Sequence, residues 1–316
     1  MPHASTISIE DVFQEHRRFL WSLCYRMTGS AADADDVVQD TFVRAMERPP
    51  RRVDTPLRPW LVKVAMNLAR DLLRRRRRRE YVGPWLPSPI PTGPEDERAG
   101  LDEIEPPAHE PPEAEGRYDL LESVSFAFLV ALETLTPTQR AVLLLRDVFD
   151  YSVKETADAL DLSQPNVKTM HHRARKVMAA YDRERQPSTP ARARATGTAL
   201  HQFLSALQRH DVPAIETLLA QDVRTTTDGG GEFRAALRPI LGREKVTRFY
   251  LAISAHAAGA KTRMPALNGV ASAIVDLPSP PKGVASRFTI TAQLNADGKI
   301  AHLYVVSATR KLTAIR

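Results

Sequence analysis

Between Arg58 and Arg79 the chain carries nine basic residues, Arg58, Lys63, Arg70 and the run Arg74 to Arg79, against a single acid, Asp71. The stretch holds a net charge of +8 in a chain whose total is +6, so everything else sums to −2. Clustered guanidinium groups bind phosphate by charge and by bidentate hydrogen bonds, and they release counterions from nucleic acid. A second polar set, Gln164, Asn166, Lys168, Thr169, His172, Arg173 and Lys176, mixes residue types that read base edges with types that hold phosphates. A third set is acidic. Asp33, Asp36 and Asp40 share one helical face, while Val37, Val38 and Phe42 turn elsewhere, and a negative face of this kind suits a basic protein groove. Around these sets there is no catalytic constellation. His171 and His172 would point about 100° apart on a helix, and the lone Cys24 supports neither a disulfide nor a cysteine-based metal site. Neither a metal nor a cofactor is expected.

The elements that must position these groups are helical. Trp60, Leu61, Val64, Ala65, Leu68, Ala69, Leu72 and Leu73 recur at three- and four-residue spacing, so the arginines extend a helix already packed on something. Ser8-Ile-Glu-Asp11 and Ser30-Ala-Ala-Asp33 read as helix starts, the first followed by an apolar stripe of Val12, Phe13, His16, Phe19, Leu20 and Leu23. Thr136-Pro-Thr-Gln139 and Ser152-Val-Lys-Glu155 are capping boxes. The helix after the second breaks at Asp161-Leu-Ser163, and Ser163 can cap a third. Small Ala157 at the crossing, with Leu162, Val167 and Met170 facing back, makes a helix-turn-helix.

Length and charge distribution divide the 316 residues. Glu95 to Glu115 has nine acids to one base, and nine prolines lie between Pro84 and Pro112, so this stretch should be extended and largely without regular structure. Gln186-Pro-Ser-Thr-Pro190 marks a second boundary. The expected organisation is an all-α unit at 8–80, a Pro/acid-rich linker at 81–117, an all-α helix-turn-helix unit at 118–184 and a third unit at 195–316. No signal sequence or membrane-length apolar run is present, and one cysteine fits a reducing compartment, so the expected location is the cytoplasm.

The third unit changes character. Helical stripes (Phe203, Leu204, Leu207; Val246, Phe249, Tyr250, Ile253) give way to a strand-like Val270 to Leu277 and to the alternation of Phe288, Ile290, Ala292 and Leu294. Asp297-Gly298 supplies a hairpin turn into Ile300 to Val306. An α+β domain is expected, with helices on one face of a curved antiparallel sheet. In Asp228-Gly-Gly-Gly-Glu232, Gly229, Gly230 and Gly231 allow backbone amides to converge on an anion or another chain to approach closely. Trp85, Leu86 and Pro87 place apolar groups in a polar linker, and such groups dock on a neighbour, here the C-terminal domain.

The order of parts resembles the extracytoplasmic-function subfamily of the sigma-70 family of RNA polymerase sigma factors. Asp33-Ala-Asp-Asp-Val-Val-Gln-Asp-Thr-Phe-Val-Arg44 and Pro59-Trp-Leu-Val-Lys-Val-Ala-Met-Asn-Leu-Ala-Arg-Asp71 resemble region two. Tyr151-Ser-Val-Lys-Glu-Thr-Ala-Asp-Ala-Leu160 and Val167-Lys-Thr-Met-His-His-Arg-Ala-Arg175 resemble region four, with Asp161 where glycine is frequent. The third unit is similar to the SnoaL-like domain, a cone of the nuclear-transport-factor-two-like superfamily. Fusions of that kind carry a Trp-Leu-Pro motif and an Asp-Gly-Gly-Gly motif, matched by Gly83-Pro-Trp-Leu-Pro-Ser-Pro89 and Asp228-Gly-Gly-Gly-Glu232. Ser88 stands where an acid is usual, Glu232 where a base is usual, and the Asn-Pro-Asp-Lys-Leu ending is reduced to Ala308-Thr-Arg-Lys-Leu312.

The resemblance implies a promoter-specificity subunit, not an enzyme. Its partners would be core RNA polymerase, through the β′ clamp for region two and the β flap for region four, and promoter DNA. Asp33, Asp36, Gln39, Asp40 and Phe42 would bind polymerase, and Lys63, Asn67, Arg70, Arg74 and Arg75 the −10 element. The second polar set would bind the −35 element. Trp85, Leu86 and Pro87 would meet Asp228, Gly229, Gly230 and Gly231 in a regulatory contact. A second reading makes the C-terminal domain a sensor or enzyme for a small-molecule ligand, with Asp228, His256, Asp276 and His302 as the available groups. A third, a plain helix-turn-helix repressor, leaves the acidic and arginine-ended helices unexplained.

Overall fold

The computed structural model describes residues 9–47, 57–77, 81–93, 117–186, 189–255 and 257–315. It divides into two compact units, Met1–Arg79 with Glu97–Ser123 and Ala131–Arg183, and Glu80–Asp96 with Val124–Val130 and Glu184–Arg316. The Arg48–Arg52 loop, Arg78, Arg79, His256 and the acidic stretch 95–115 lie outside the described residues.

The first unit is all helical: α1 (Ile9–Thr28), α2 (Ala31–Glu47), α3 (Leu57–Arg77), α5 (Pro137–Asp147), α6 (Val153–Leu160) and α7 (Gln164–Glu184), with α4 (Phe126–Leu132) crossing the boundary between the units. Ser30 Oγ accepts from the Asp33 amide at 3.2 Å and starts α2. Both capping boxes form, at Thr136/Gln139 and Ser152/Glu155. Asp161 ends α6 in the left-handed region at φ 53°, and the Leu162 amide bonds the Ala157 carbonyl at 3.0 Å. An aspartate adopts this backbone at modest cost, which explains how it replaces glycine here.

Buried arginines tie the helices of this unit together. Arg26, fully buried, donates from Nε to Ser123 Oγ at 2.7 Å and from Nη2 to the Leu120 carbonyl at 3.0 Å. Glu133 accepts from Arg76 at 2.9 and 3.1 Å and from Arg140 at 2.7 Å, while Arg140 also reaches the Met27 carbonyl. Burial alone would raise the Glu133 pKa; the two guanidinium groups outweigh it and hold the carboxyl below its ordinary value.

The second unit holds α8 (Pro190–Gln208), α9 (Val212–Leu218), α10 (Arg243–Ser254) and the strands β1 (Leu219–Asp228), β2 (Ile240–Leu241), β3 (Lys261–Arg263), β4 (Ala266–Leu267), β5 (Val270–Ala271), β6 (Ala273–Asp276), β7 (Arg287–Leu294) and β8 (Ile300–Val306). Six strands form one sheet in the order β2-β1-β8-β7-β6-β3, and β4 pairs with β5. The sheet is mixed, not antiparallel throughout: β1 runs parallel to β8, with Arg224 beside His302 and Thr226 beside Tyr304. A parallel neighbour needs a long connection, and it comes from a strand, β1, that the apolar periodicity did not reveal because its second half is Thr225-Thr226-Thr227. Phe203, Leu207, Val223, Val246, Tyr250, Ile290, Ala292 and Leu303 fill the space between the helices and one sheet face. The Asp297-Gly298 turn forms as expected, with Gly298 at φ +73° and Asn295 Oδ1 accepting from the Asp297 and Lys299 amides.

Candidate functional site

On α2, Asp36, Gln39 and Asp40 are exposed and Asp33 is half-buried in the first turn. Phe42 departs from the expectation. It is 5% exposed and its ring meets Phe13 edge-on at 4.8 Å, so it belongs to the core that shapes the face and not to the face itself. The apolar groups that do reach the surface of α2 are Val43 and Met46. A helix with an apolar stripe turned inward leaves position 43, one residue on, pointing out.

The basic face of α3 is occupied. Lys63 pairs with Asp161 at 2.5 Å, and Arg70 donates to the Leu160 carbonyl at 3.1 Å, to Thr138 Oγ1 at 3.4 Å and to Asn67 Oδ1 at 3.3 Å. Lys63 and Arg70 therefore meet the end of α6, and Asn67 accepts from Arg70 of its own helix. Arg74 pairs with Asp71 of its own helix, and Arg75 is exposed. Arg76, which looks like one more member of the run, is a structural residue clamped to Glu133 and to the Thr28 carbonyl.

On α7 every residue of the second polar set is exposed: Gln164, Asn166, Lys168, Thr169, His172, Arg173 and Lys176. At about 100° per residue they sweep roughly 200° of the helix circumference, while Val167, Ala174 and Met178 are buried on the opposite side. Asp147, 2% exposed, pins that buried side. It bonds His171 Nε2 at 2.8 Å and Arg175 at 2.6 and 3.1 Å. Burial pushes its pKa up, and the hydrogen bonds from His171 and Arg175 more than reverse this and hold it low. His171 and His172 thus have separate environments, one inside and one out.

In the second unit, residues 84–92 carry no helix and residues 86–90 are buried. Leu86 is buried with Phe126, Tyr304 and Val306. The Ile90 amide donates to Asn268 Oδ1 at 2.9 Å, the Asn268 amide to the Ile90 carbonyl at 3.0 Å, and Pro91 bridges to Leu267. Asn268 also donates from Nδ2 to the Val124 carbonyl at 2.7 Å, so one buried amide holds two chain segments. Prolines remove donors from this segment, and the amides of Leu86, Ile90 and Thr92 bond to the C-terminal domain.

Asp228 lies at the centre of this seat, 1% exposed. Its carboxylate accepts from Tyr81 Oη at 2.6 Å, the Leu86 amide at 2.7 Å, the Gly230 amide at 3.0 Å and Lys311 Nζ at 2.5 Å. Lys311, 6% exposed, also donates to the Leu86 carbonyl and lies 4.2 Å from the Trp85 ring centroid and 4.9 Å from that of Tyr81. A side chain on Gly229 would meet the Phe233 carbonyl at 2.6 Å, and Gly230 sits at φ +63°, so the glycines serve a tight turn and close approach. The converging amide binds the protein's own Asp228. Ser88 is fully buried and Glu232 accepts from the Thr309 amide at 3.3 Å, so the contact is built on Asp228 and Lys311 and not on charges at positions 88 and 232. Lys311 and Asn268 were missed in the sequence. Lys311 had a signal in the Ala308–Leu312 ending, whereas Asn268 had none.

The groups that an enzyme reading would need are dispersed. Asp276 pairs with Arg287 at 2.6 Å, and Arg287 lies six residues along β7 from Gln293, the register partner of His302. At about 3.3 Å per residue this separates Asp276 from His302 by roughly 20 Å. His302 bonds Thr226 Oγ1 at 2.9 Å and stacks on Tyr304 at 3.8 Å. Burial, helped by the charge of Arg224, pushes its pKa down to about 3, so its imidazole is neutral.

Comparison with known proteins accounts for this arrangement of parts. Residues 12–79 match the Sigma-70 region 2 family and residues 125–178 match Sigma-70, region 4. The ECF RNA polymerase sigma factor SigJ of Mycobacterium tuberculosis (strain ATCC 25618 / H37Rv) is 32% identical over 313 residues, 95% of this chain and 92% of the relative. SigG of the same strain is 35% identical over 219 residues, 66% of this chain and 58% of the relative. The crystal structure of M. tuberculosis SigJ matches with a TM-score of 0.72 at 28% identity, over 96% of this chain and 98% of that one. With both regions present and near end-to-end similarity to SigJ, the chain belongs to the extracytoplasmic-function sigma factors of the sigma-70 family, and carries an α+β domain after region four.

Proposed function

We propose that this sigma factor, which directs core polymerase to promoters, is tuned by its own C-terminal domain through the seat of residues 81–93. In this reading α2 docks on the β′ clamp with Asp33, Asp36, Gln39 and Asp40, and the 118–184 unit meets the β flap. Lys63, Asn67, Arg70, Arg74 and Arg75 hold −10 DNA, and the exposed arc of α7 reads the −35 element. The protein acts in the cytoplasm, and the C-terminal domain contributes control and no catalysis. The observation that carries the regulatory part is the Asp228–Lys311 pair closing on Leu86 and Trp85.

The −10 face supports a further step. Lys63 and Asp161 are 40% and 61% exposed, and an exposed pair of that kind contributes only about 0–1 kcal/mol. Promoter DNA, which offers many phosphates, can displace Asp161 and the Leu160 carbonyl from Lys63 and Arg70. The test is in vitro transcription with bacterial core polymerase on the DNA upstream of the protein's own gene, comparing the full chain with full-length Asp228→Asn. A transcript dependent on the protein, with a yield changed by the substitution, is expected. Equal yields from the two would remove the seat from the regulatory mechanism.

A further inference from the structure

Beside the linker seat is a cavity of about 490 Å³, lined by Pro84, Trp85, Leu86, Val130, Arg224, Thr226, Pro239, Leu241, His302 and Tyr304. It lies on the sheet face opposite α8, α9 and α10: Val223, Leu303 and Val305 point into the core packed by those helices, and Arg224, Thr226, His302 and Tyr304 alternate with them. Those four side chains, paired two by two across β1 and β8, form its floor. The Pro84–Leu86 segment makes one wall, Pro239 and Leu241 the other.

Three features make this more than a packing fault. Its size falls in the range of small-molecule sites, and its walls are apolar with a few convergent polar groups, as in such sites. Leu241, a large apolar side chain, is 59% exposed at its edge. Arg224 is exposed, has no hydrogen-bond or ion-pair partner among the described residues, and no carboxylate lines the cavity. The neighbouring imidazole is neutral and bonded through Nε2 to Thr226, so it adds no second charge. A guanidinium at the mouth of an apolar slot flanked by Trp85 and Tyr304 fits one chemical class: a planar apolar body bearing a single carboxylate.

We propose that this cavity binds an aromatic monocarboxylate, with the carboxylate on Arg224 and the ring between Trp85, Tyr304 and Leu241. This inference stands apart from the promoter-recognition reading, since it concerns only the second unit. Because Trp85 and Leu86 form a wall, a bound ligand stabilises their seat, and by linkage a seated linker favours the ligand.

The experiment is calorimetric titration of the full chain with 2-naphthylacetate, together with amide hydrogen exchange over residues 84–91. Saturable one-to-one binding is expected, weakened at least 10-fold by Arg224→Gln and at least 10-fold for the uncharged 2-naphthylacetamide, with slower exchange at Leu86 when the probe saturates. Leu241→Glu, which changes an exposed side chain and places a carboxylate in the wall, should abolish binding at an unchanged melting temperature. Absence of saturable binding up to about 5 mM, a Kd corresponding to only ~3 kcal/mol, would overturn the proposal. So would equal affinity for the acid and its amide, or binding unaffected by both substitutions.

Discussion

Replacing Asp228 with asparagine removes one charge of a buried pair while keeping the shape of the side chain. In the wild-type seat the carboxylate accepts from Tyr81, Leu86, Gly230 and Lys311, all at 3.0 Å or less. An amide in its place has one acceptor oxygen, turns its NH₂ toward groups that are themselves donors, and leaves the Lys311 ammonium, 6% exposed, without its counterion. Breaking one side of a buried, hydrogen-bonded pair costs about 3–5 kcal/mol. If opening of the 81–93 segment bears that cost, exchange of the Leu86 amide accelerates about 100- to 4,000-fold, at tenfold per 1.4 kcal/mol. Hydrogen exchange on the full chain, read on peptides covering 84–91, measures it directly. Lys311→Met should produce a similar opening, and the double variant should cost less than the sum of the two. Acceleration below about 10-fold in Asp228→Asn, or strict additivity in the cycle, would refute the argument that this pair holds the segment. A point substitution is also the cleaner perturbation, because deleting 195–316 would strip cover from Leu86, Ile90 and Phe126 together.

Arg173→Ala should lose about 1–3 kcal/mol on the cognate −35 element and little on a scrambled one, whereas Lys168→Ala should weaken both equally; equal losses on both sites for Arg173→Ala would take it out of the base-reading set. Asp147→Asn breaks a 2%-exposed carboxylate from His171 and Arg175 and should destabilise the first unit by about 3 kcal/mol, measured by urea unfolding. Because the Asp147 pKa is held low in the fold, its contribution is present above the ordinary carboxylate range and fades on acidification below it. His302 works through burial of a neutral ring: with its folded pKa at about 3 against about 6.5 unfolded, the unfolded chain takes up a proton first as pH drops. Stability of the second unit should therefore fall from about pH 6.5 downward, by up to ~1.4 kcal/mol per pH unit, and His302→Gln should flatten that slope. An unchanged slope in the variant would assign the acid sensitivity elsewhere.

Much of the local structure could be read from the chain because it rests on interactions within a few residues. The capping boxes at Thr136 and Ser152, the left-handed Asp161, the Asp297-Gly298 turn and the exposed arc of α7 are all set by side chains three or four positions apart. The family, too, was legible, since the motifs at 33–44, 59–71, 83–89 and 228–232 are contiguous. What the chain could not reveal depends on partners far away in sequence. Phe42 turns off the acidic face by its spacing and only the resemblance places it among the polymerase contacts, and Arg76 looks like its neighbours in the arginine run until it pairs with Glu133. Lys63 and Arg70 look free for nucleic acid until α6 is folded against them. The mixed sheet follows from β1 meeting β8 some eighty residues later, a pairing that a threonine-rich strand does not announce. Asn268 and Lys311 become central because the fold brings them to Ile90 and Asp228. Sequence by itself determined which segments form helices, which carry charge and to which family they belong. Tertiary structure alone decided which of those charges are satisfied, because the energy of a buried polar group depends on partners that local sequence does not contain.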